Sequence, residues 1–236
     1  TFFEITTRDT NFAADDPVSA MAIVDLDRDL DLDIVTTHAG SGRVGMLENL
    51  LHLQFRGRVL EEIPAIEGAS SIVVEDIDGN VSWDLIVGGS GGAAIVFSQT
   101  ADANAWTVDR IESHQQPCTE MIVADFDNDS WMEVLGFTNG EAKISRVGPW
   151  GFGPWVDAPS IAGSRSLLVA DFQRDGSVDL AGVRKGLATA LLNDNDSGYH
   201  YLDVRFKGID DNASGRVNHY AIGSVLELRF GPHYRA

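Results

Sequence analysis

Oxygen-bearing side chains recur at alternate positions in four short stretches of this 236-residue chain: DLDRDLDLD from Asp25, DIDGNVSWD from Asp76, DFDNDSWME from Asp125 and DFQRDGSVD from Asp171. Aspartates packed this closely repel one another unless a cation sits among them. In each stretch, positions 1, 3, 5 and 9 carry the side-chain oxygens and position 7 offers a backbone carbonyl. The sets are Asp25, Asp27, Asp29, Asp31 and Asp33; Asp76, Asp78, Asn80, Ser82 and Asp84; Asp125, Asp127, Asp129, Trp131 and Glu133; and Asp171, Gln173, Asp175, Ser177 and Asp179. This gives the roughly six oxygens that calcium requires; magnesium prefers fewer protein ligands and keeps its waters. Asp and Asn also favour turns through their own side-chain hydrogen bonds, but that accounts for one stretch more easily than for four in register.

The elements that position these loops are strands. MAIV and IVTT flank the first, SIVV and LIVG the second, MIV and VLGF the third, SLLVA and LAGV the fourth, all short and rich in branched residues. The pattern begins like a helix-flanked calcium loop but closes at position 9 instead of 12. Each unit therefore reads strand, calcium loop, strand. A glycine-containing turn and a third strand follow, and a segment such as RVLEEIPAI or AWTVDRIES completes the unit. The first aspartates lie 51, 49 and 46 residues apart, the length of one four-stranded propeller blade.

These residues resemble the FG-GAP or VCBS repeat, the calcium-binding blade of integrin-like β-propellers, with its D-x-D-x-D-G-x-x-D core. All four stretches match at positions 1 and 9, with glutamate at position 9 of the third. The family glycine at position 6 survives only as Gly176, with Leu30, Val81 and Ser130 in its place, and a positive φ there strains the valine most. The neutral Gln173, with Arg174 beside it, makes the fourth loop the weakest expected site, and the first and third the tightest. The resemblance implies an all-β propeller of four calcium-loop blades over residues 1–199, binding up to four Ca2+, with a short β-rich appendage over 200–236.

That appendage breaks the period. The strand YLDVRFKG, Asn212, Gly215 and the turn-and-strand AIGSVLEL resemble the front of the ASPIC/UnbV domain of cartilage-acidic-protein-like secreted proteins. At the other end, FFEITT reads as an outer strand without a loop, which either ends a preceding blade or closes the ring on the last one. The missing initiator Met, the lack of a signal peptide and the curtailed appendage suggest a processed or partial polypeptide.

Composition narrows the function classes. Thirty-six acids against 17 bases give −19, and 14 of those acids sit at positions 1, 3, 5 or 9 of the loops; four calcium ions would leave −11. This balance repels nucleic acid. No run of 18 apolar residues is present to span a membrane. Calcium sites of this kind fill at roughly 0.1 to 1 mM ion, which points to a secreted or surface-displayed protein. Cys118, the lone cysteine, reads as a small core residue.

Other motifs carry less. Gly88-Gly89-Ser90-Gly91-Gly92 satisfies G-x-S-x-G, but the AAIVFS that follows reads as a strand where a nucleophile elbow needs a helix. The six histidines, at 38, 52, 114, 200, 219 and 233, lack zinc spacing. Of the glycosylation sequons, those at Asn80 and Asn128 fall inside loops, leaving Asn195 and Asn212 freer. GPWGFGPW at 148–155 either presents aromatic faces to a sugar or protein, or packs between blades. The reading is an extracellular binding, adhesion or assembly module with structural calcium and a protein or glycan partner. Self-association is expected where a sheet edge stays open. The alternative is a carbohydrate-active lyase or hydrolase on a propeller scaffold.

Overall fold

The computed structural model describes residues 16–50, 54–100, 106–195, 198, 201–206, 226, 228–230 and 233–235. FFEITT lies outside them, as does most of the 200–236 appendage. Every regular element among the described residues is a β-strand.

The strands form four antiparallel meanders arranged as a four-bladed β-propeller. Blade one holds β1 (Val18–Val24), β2 (Asp33–His38), β3 (Val44–Asn49) and β4 (Phe55–Val59). Blade two holds β5 (Ser71–Glu75), β6 (Asp84–Gly89), β7 (Gly92–Thr100) and β8 (Trp106–His114). Blade three holds β9 (Glu120–Ala124), β10 (Met132–Thr138) and β11 (Glu141–Gly148), with β12 (Gly151–Phe152) and β13 (Val156–Asp157) sharing its outer edge. Blade four holds β14 (Ser164–Ala170), β15 (Asp179–Arg184) and β16 (Leu187–Leu191). A separate hairpin pairs β17 (Leu228–Phe230) with β18 (His233–Arg235). In every blade the acidic loop joins the first strand to the second.

The first strand of each blade is innermost. β1 packs beside β5, β5 beside β9 and β9 beside β14. Ala20, Ile72, Met121 and Leu167, one from each of these strands, line a cavity of about 240 Å³ at the centre. Hydroxyls stitch successive blades there: Ser19 Oγ donates to Ala69 O at 2.6 Å, and Ser70 Oγ to Thr119 O at 2.9 Å.

Second strands need apolar residues on both faces, because both faces meet a neighbouring blade. DLIVGG of β6 is buried throughout. Leu85 and Val87 pack toward blade one, with Val35 and Met46, while Ile86 packs toward blade three, with Val134 and Val147. A third cluster, Leu135, Phe137 and Leu180 among its members, joins blades three and four. Cys118 is fully buried between blades; a Cβ on Gly136 would lie 2.5 Å from its Sγ, so that position has room only for glycine.

One expectation, a strand over YLDVRFKG, is corrected, and for GPWGFGPW the packing between blades is what the structure has. RVLEEIPAI is not a continuous strand: β4 stops at Val59, and the turns that follow carry Leu60, Ile63 and Ile66 into the core between blades one and two. YLDVRFKG forms no strand over 201–206; Tyr201, Leu202, Val204 and Phe206 are exposed, and no strand pairs with them among the described residues. GPWGFGPW splits an outer strand in two, Phe152 pairing with Val147 and Val156 with Ile144, with Pro154, which lacks an N–H, in the break. Phe152 and Trp155 turn inward onto His114, ring centroids 6.0 Å away, and pack between blades two and three. Only Trp150 stays half exposed, its ring edge-on to Trp131 at 4.9 Å. Of AWTVDRIES, Trp106 onward forms β8, and Gly92–Thr100, starting at the last glycine of the G-x-S-x-G stretch, is β7, a strand and not the helix an elbow requires.

Candidate metal centres

The four loops share one hydrogen-bond frame. The position 1 aspartate accepts the N–H of position 6 on Oδ2: Leu30 to Asp25 (3.1 Å), Val81 to Asp76 (3.1 Å), Ser130 to Asp125 (2.9 Å) and Gly176 to Asp171 (2.9 Å). The position 5 side chain accepts the N–H of position 7: Asp31 to Asp29, Ser82 to Asn80, Trp131 to Asp129 and Ser177 to Asp175, at 2.7 to 3.0 Å. At position 3, Asp27, Asp78 and Asp127 accept the N–H of position 5. Gln173 instead turns its amide nitrogen toward Asp175, 3.4 Å away.

This winding puts two residues per loop in the left-handed region. Position 6 is one, at φ 76° for both Leu30 and Val81, 77° for Ser130 and 88° for Gly176; position 4 is the other, with Arg28, Gly79, Asn128 and Arg174 at 59° to 76°. Only the family glycine drew attention to position 6. Gly79 and Asn128 were the available signals for position 4, since Gly and Asn tolerate this conformation.

The closing acids, predicted as ligands, also brace the blade. Asp33, Asp84 and Asp179 each accept two backbone N–H groups, one per oxygen. Oδ2 takes position 2 (Leu26 3.2 Å, Ile77 2.8 Å, Phe172 2.8 Å), and Oδ1 takes the end of the third-strand segment (Asn49 2.9 Å, Ser98 2.8 Å, Asn193 2.8 Å). Glu133 differs. Its Oε2 holds the N–H of Phe126 at 2.9 Å, while its buried Oε1 has no partner. Burial pushes Asp33 up to about 6, and Asp84 and Glu133 up to about 7, against the pull of their N–H donors. Asp27, Asp31 and Asp78 are raised as well, by desolvation first; neighbouring acids add to this at Asp27 and Asp31.

One oxygen from each of Asp25, Asp27 and Asp29 lies within 4.8 Å of the other two, and the same holds for Asp76, Asp78 and Asp84 and for Asp125, Asp127 and Glu133. No such triad forms from Asp171, Asp175 and Asp179 among the described residues. Besides Glu133 Oε1, Asp25 Oδ1 and Asp31 Oδ1 are buried carboxylate oxygens without a hydrogen-bond donor. Unpaired anionic oxygens beside one another are costly, and a hard divalent cation satisfies them in one step. The residues present therefore fit the ion. In the fourth loop desolvation acts to raise the Asp171 carboxyl, but the N–H groups of Gly176, Asp175 and Arg174, together with the Arg174 charge, outweigh it and hold the group below its usual range.

Neighbouring loops touch. The Arg28 guanidinium lies 5.8 Å from the Trp83 ring centre, and Asn128 Nδ2 donates to Gly176 O at 3.0 Å. Asn80 Nδ2 donates to Ser98 O at 2.8 Å, so both loop sequons have their amides engaged within the chain. Sequence reasoning missed Arg146, which is ion-paired with Asp129. Its signal lies in register alone, since Arg146 stands opposite Glu133 across the β10/β11 ladder.

No protein-family model and no curated protein matches the chain. Among solved structures it is similar to an Agrocybe aegerita lectin studied for specific recognition of non-reducing terminal N-acetylglucosamine, with 16% identity and a TM-score of 0.48. The match covers 80% of this chain and 52% of that one, so this chain spans about half the length of its structural neighbour.

Proposed function

We propose that this chain is a calcium-stabilised β-propeller module of the FG-GAP/VCBS type that acts by binding a partner, not by turnover. The observation that supports this reading is the trio of buried, unpartnered oxygens, Asp25 Oδ1, Asp31 Oδ1 and Glu133 Oε1, within loops whose backbone is already wound for ligation. Calcium would be held by Asp25, Asp27 and Asp29, by Asp76, Asp78 and Asp84, and by Asp125, Asp127 and Glu133, and it would neutralise acids whose mutual repulsion loosens each blade. With that charge fixed, the loops become a rigid face from which neighbouring side chains project. Trp150, half exposed beside Trp131, is an aromatic surface suited to a sugar or a protein. Function outside the cell follows from the weak, millimolar-range filling of such sites.

Trp83 and Trp131 sit inside the second and third loops and serve as antennae for terbium bound there. Sensitised terbium emission that calcium displaces, and a melting temperature that rises with calcium far more than with magnesium, is the expected result. One site at a hundredfold excess of ion over its dissociation constant contributes about 2.7 kcal/mol. A melting curve unchanged by exhaustive chelation overturns the reading. A glycan array paired with a product assay then separates binding from the lyase or hydrolase alternative.

A further inference from the structure

Counting from the first aspartate of each loop, the same positions recur at the blade junctions, except that Val169, two before Asp171, is exposed and stays out of the blade three/four cluster. The residues four and two before it face the preceding blade: Ile72 and Val74 pack on blade one, Met121 and Val123 on blade two. The residues three before and one after face the following blade: Val73 and Ile77 pack on blade three, Ile122 and Phe126 on blade four. The corresponding residues at the two ends of the array meet no such neighbouring blade among the described residues. Met21 and Ile23 of blade one are 65% and 62% exposed, and Leu168 and Phe172 of blade four are 53% and 47% exposed.

Among the described residues the seam between blades four and one is thus unsealed, and β14 makes no contact with β1 comparable to those between successive inner strands. On blade one the Asp16 carbonyl oxygen lies 2.8 Å from His38 Nδ1 of β2, while Met21 and Ile23 of β1 stay exposed. Exposed apolar residues placed this way mark an interaction surface. What fits the blade-four face is a blade-one face, because that pairing of positions is used three times within the chain.

We infer that the two open faces are halves of one interface, and that a second copy of this chain supplies the missing half, blade four of one copy packing on blade one of the next. The contact is heterologous: it closes where two copies complete the rotation and propagates where they do not. It rests on blade packing and not on the cation reading, so a chain that associates without binding calcium keeps this inference while losing the other.

The test is sedimentation of the 236-residue chain over a range of concentrations, with and without calcium. Association that strengthens with concentration is expected. Met21→Asp and Leu168→Asp should each remain monomeric where the parent associates, with unchanged melting curves; Ile23→Asp and Phe172→Asp replace either variant that melts early. An equimolar mixture of the two variants should associate again, because one junction in the mixed pair keeps both native faces. A monomer at every concentration, variants that associate like the parent, or a mixture that stays monomeric would each overturn the inference, the first assigning the faces to a different partner.

Discussion

The Arg146 guanidinium is ion-paired with Asp129, the position 5 acid of the third loop, and lies 5.8 Å from the ring centre of Trp150. A cation entering this loop would compete with a positive charge already installed on Asp129, one of the acids expected to ligate it. The pair is partly exposed, and such pairs contribute about 0 to 1 kcal/mol.

Arg146→Gln should therefore tighten cation binding at the third loop by about twofold to fivefold, the affinity equivalent of an exposed ion pair. Terbium emission sensitised by Trp131 reads this loop. Weaker binding in the variant would show that Arg146 orients Asp129 for the ion instead of competing with it.

Leu30 tests the cost of the winding. It is 91% exposed and held at φ 76°, so its side chain contributes no packing while its Cβ strains the backbone. Leu30→Gly should stabilise the protein by about 1 kcal/mol, the ordinary penalty of an L-residue in this region. Urea denaturation measures it. Val81→Gly at the same φ should gain less, because the half-buried valine loses contacts as well.

Asp84 and Asp78 belong to one loop yet should fail differently. Asp84 bridges the N–H groups of Ile77 and Ser98 with both oxygens, a staple between loop and β7 that needs no ion. Asp84→Ala should cost about 3 kcal/mol or more already in chelator, since two charge-assisted hydrogen bonds disappear from a buried site, and more in calcium, where a ligand is lost as well. Asp78→Ala removes one 3.2 Å hydrogen bond and should be mild in chelator, its larger effect appearing only in calcium. Equal losses for the two variants in chelator would refute the bracing role that Asp84 has beyond ligation.

The blades were legible because their signals are local. Loop spacing gave four units, branched flanks gave the strands, and positions 1 and 9 marked each loop's ends. The second role of Asp33, Asp84 and Asp179 was hidden, because the N–H groups they hold on Asn49, Ser98 and Asn193 lie more than a dozen residues away and every residue type offers one. Arg146 was hidden for the same reason: strand register brings it to Asp129, and composition carries no register. YLDVRFKG has the alternation of a strand, but alternation does not supply the partner strand that would hold it.

Cys118 provides the last test, of the blade junction itself. The thiol is fully buried, and burial alone pushes it up to about 12, so the reactive thiolate is scarce and no reagent reaches it. In the native protein it should resist thiol labelling for as long as blades two and three stay joined, and labelling should follow unfolding. Gly136→Ala probes the same contact from the other side, since its new methyl would meet Cys118 Sγ at 2.5 Å and the Trp155 ring at 3.2 Å. Overpacking of this kind costs about 1 to 3 kcal/mol. The variant should melt earlier and expose Cys118 to labelling at lower denaturant than the parent. Labelling of the parent at the rate of a free thiol, without denaturant, would mean that the junction opens in the native state and that the packing around Cys118 is wrong.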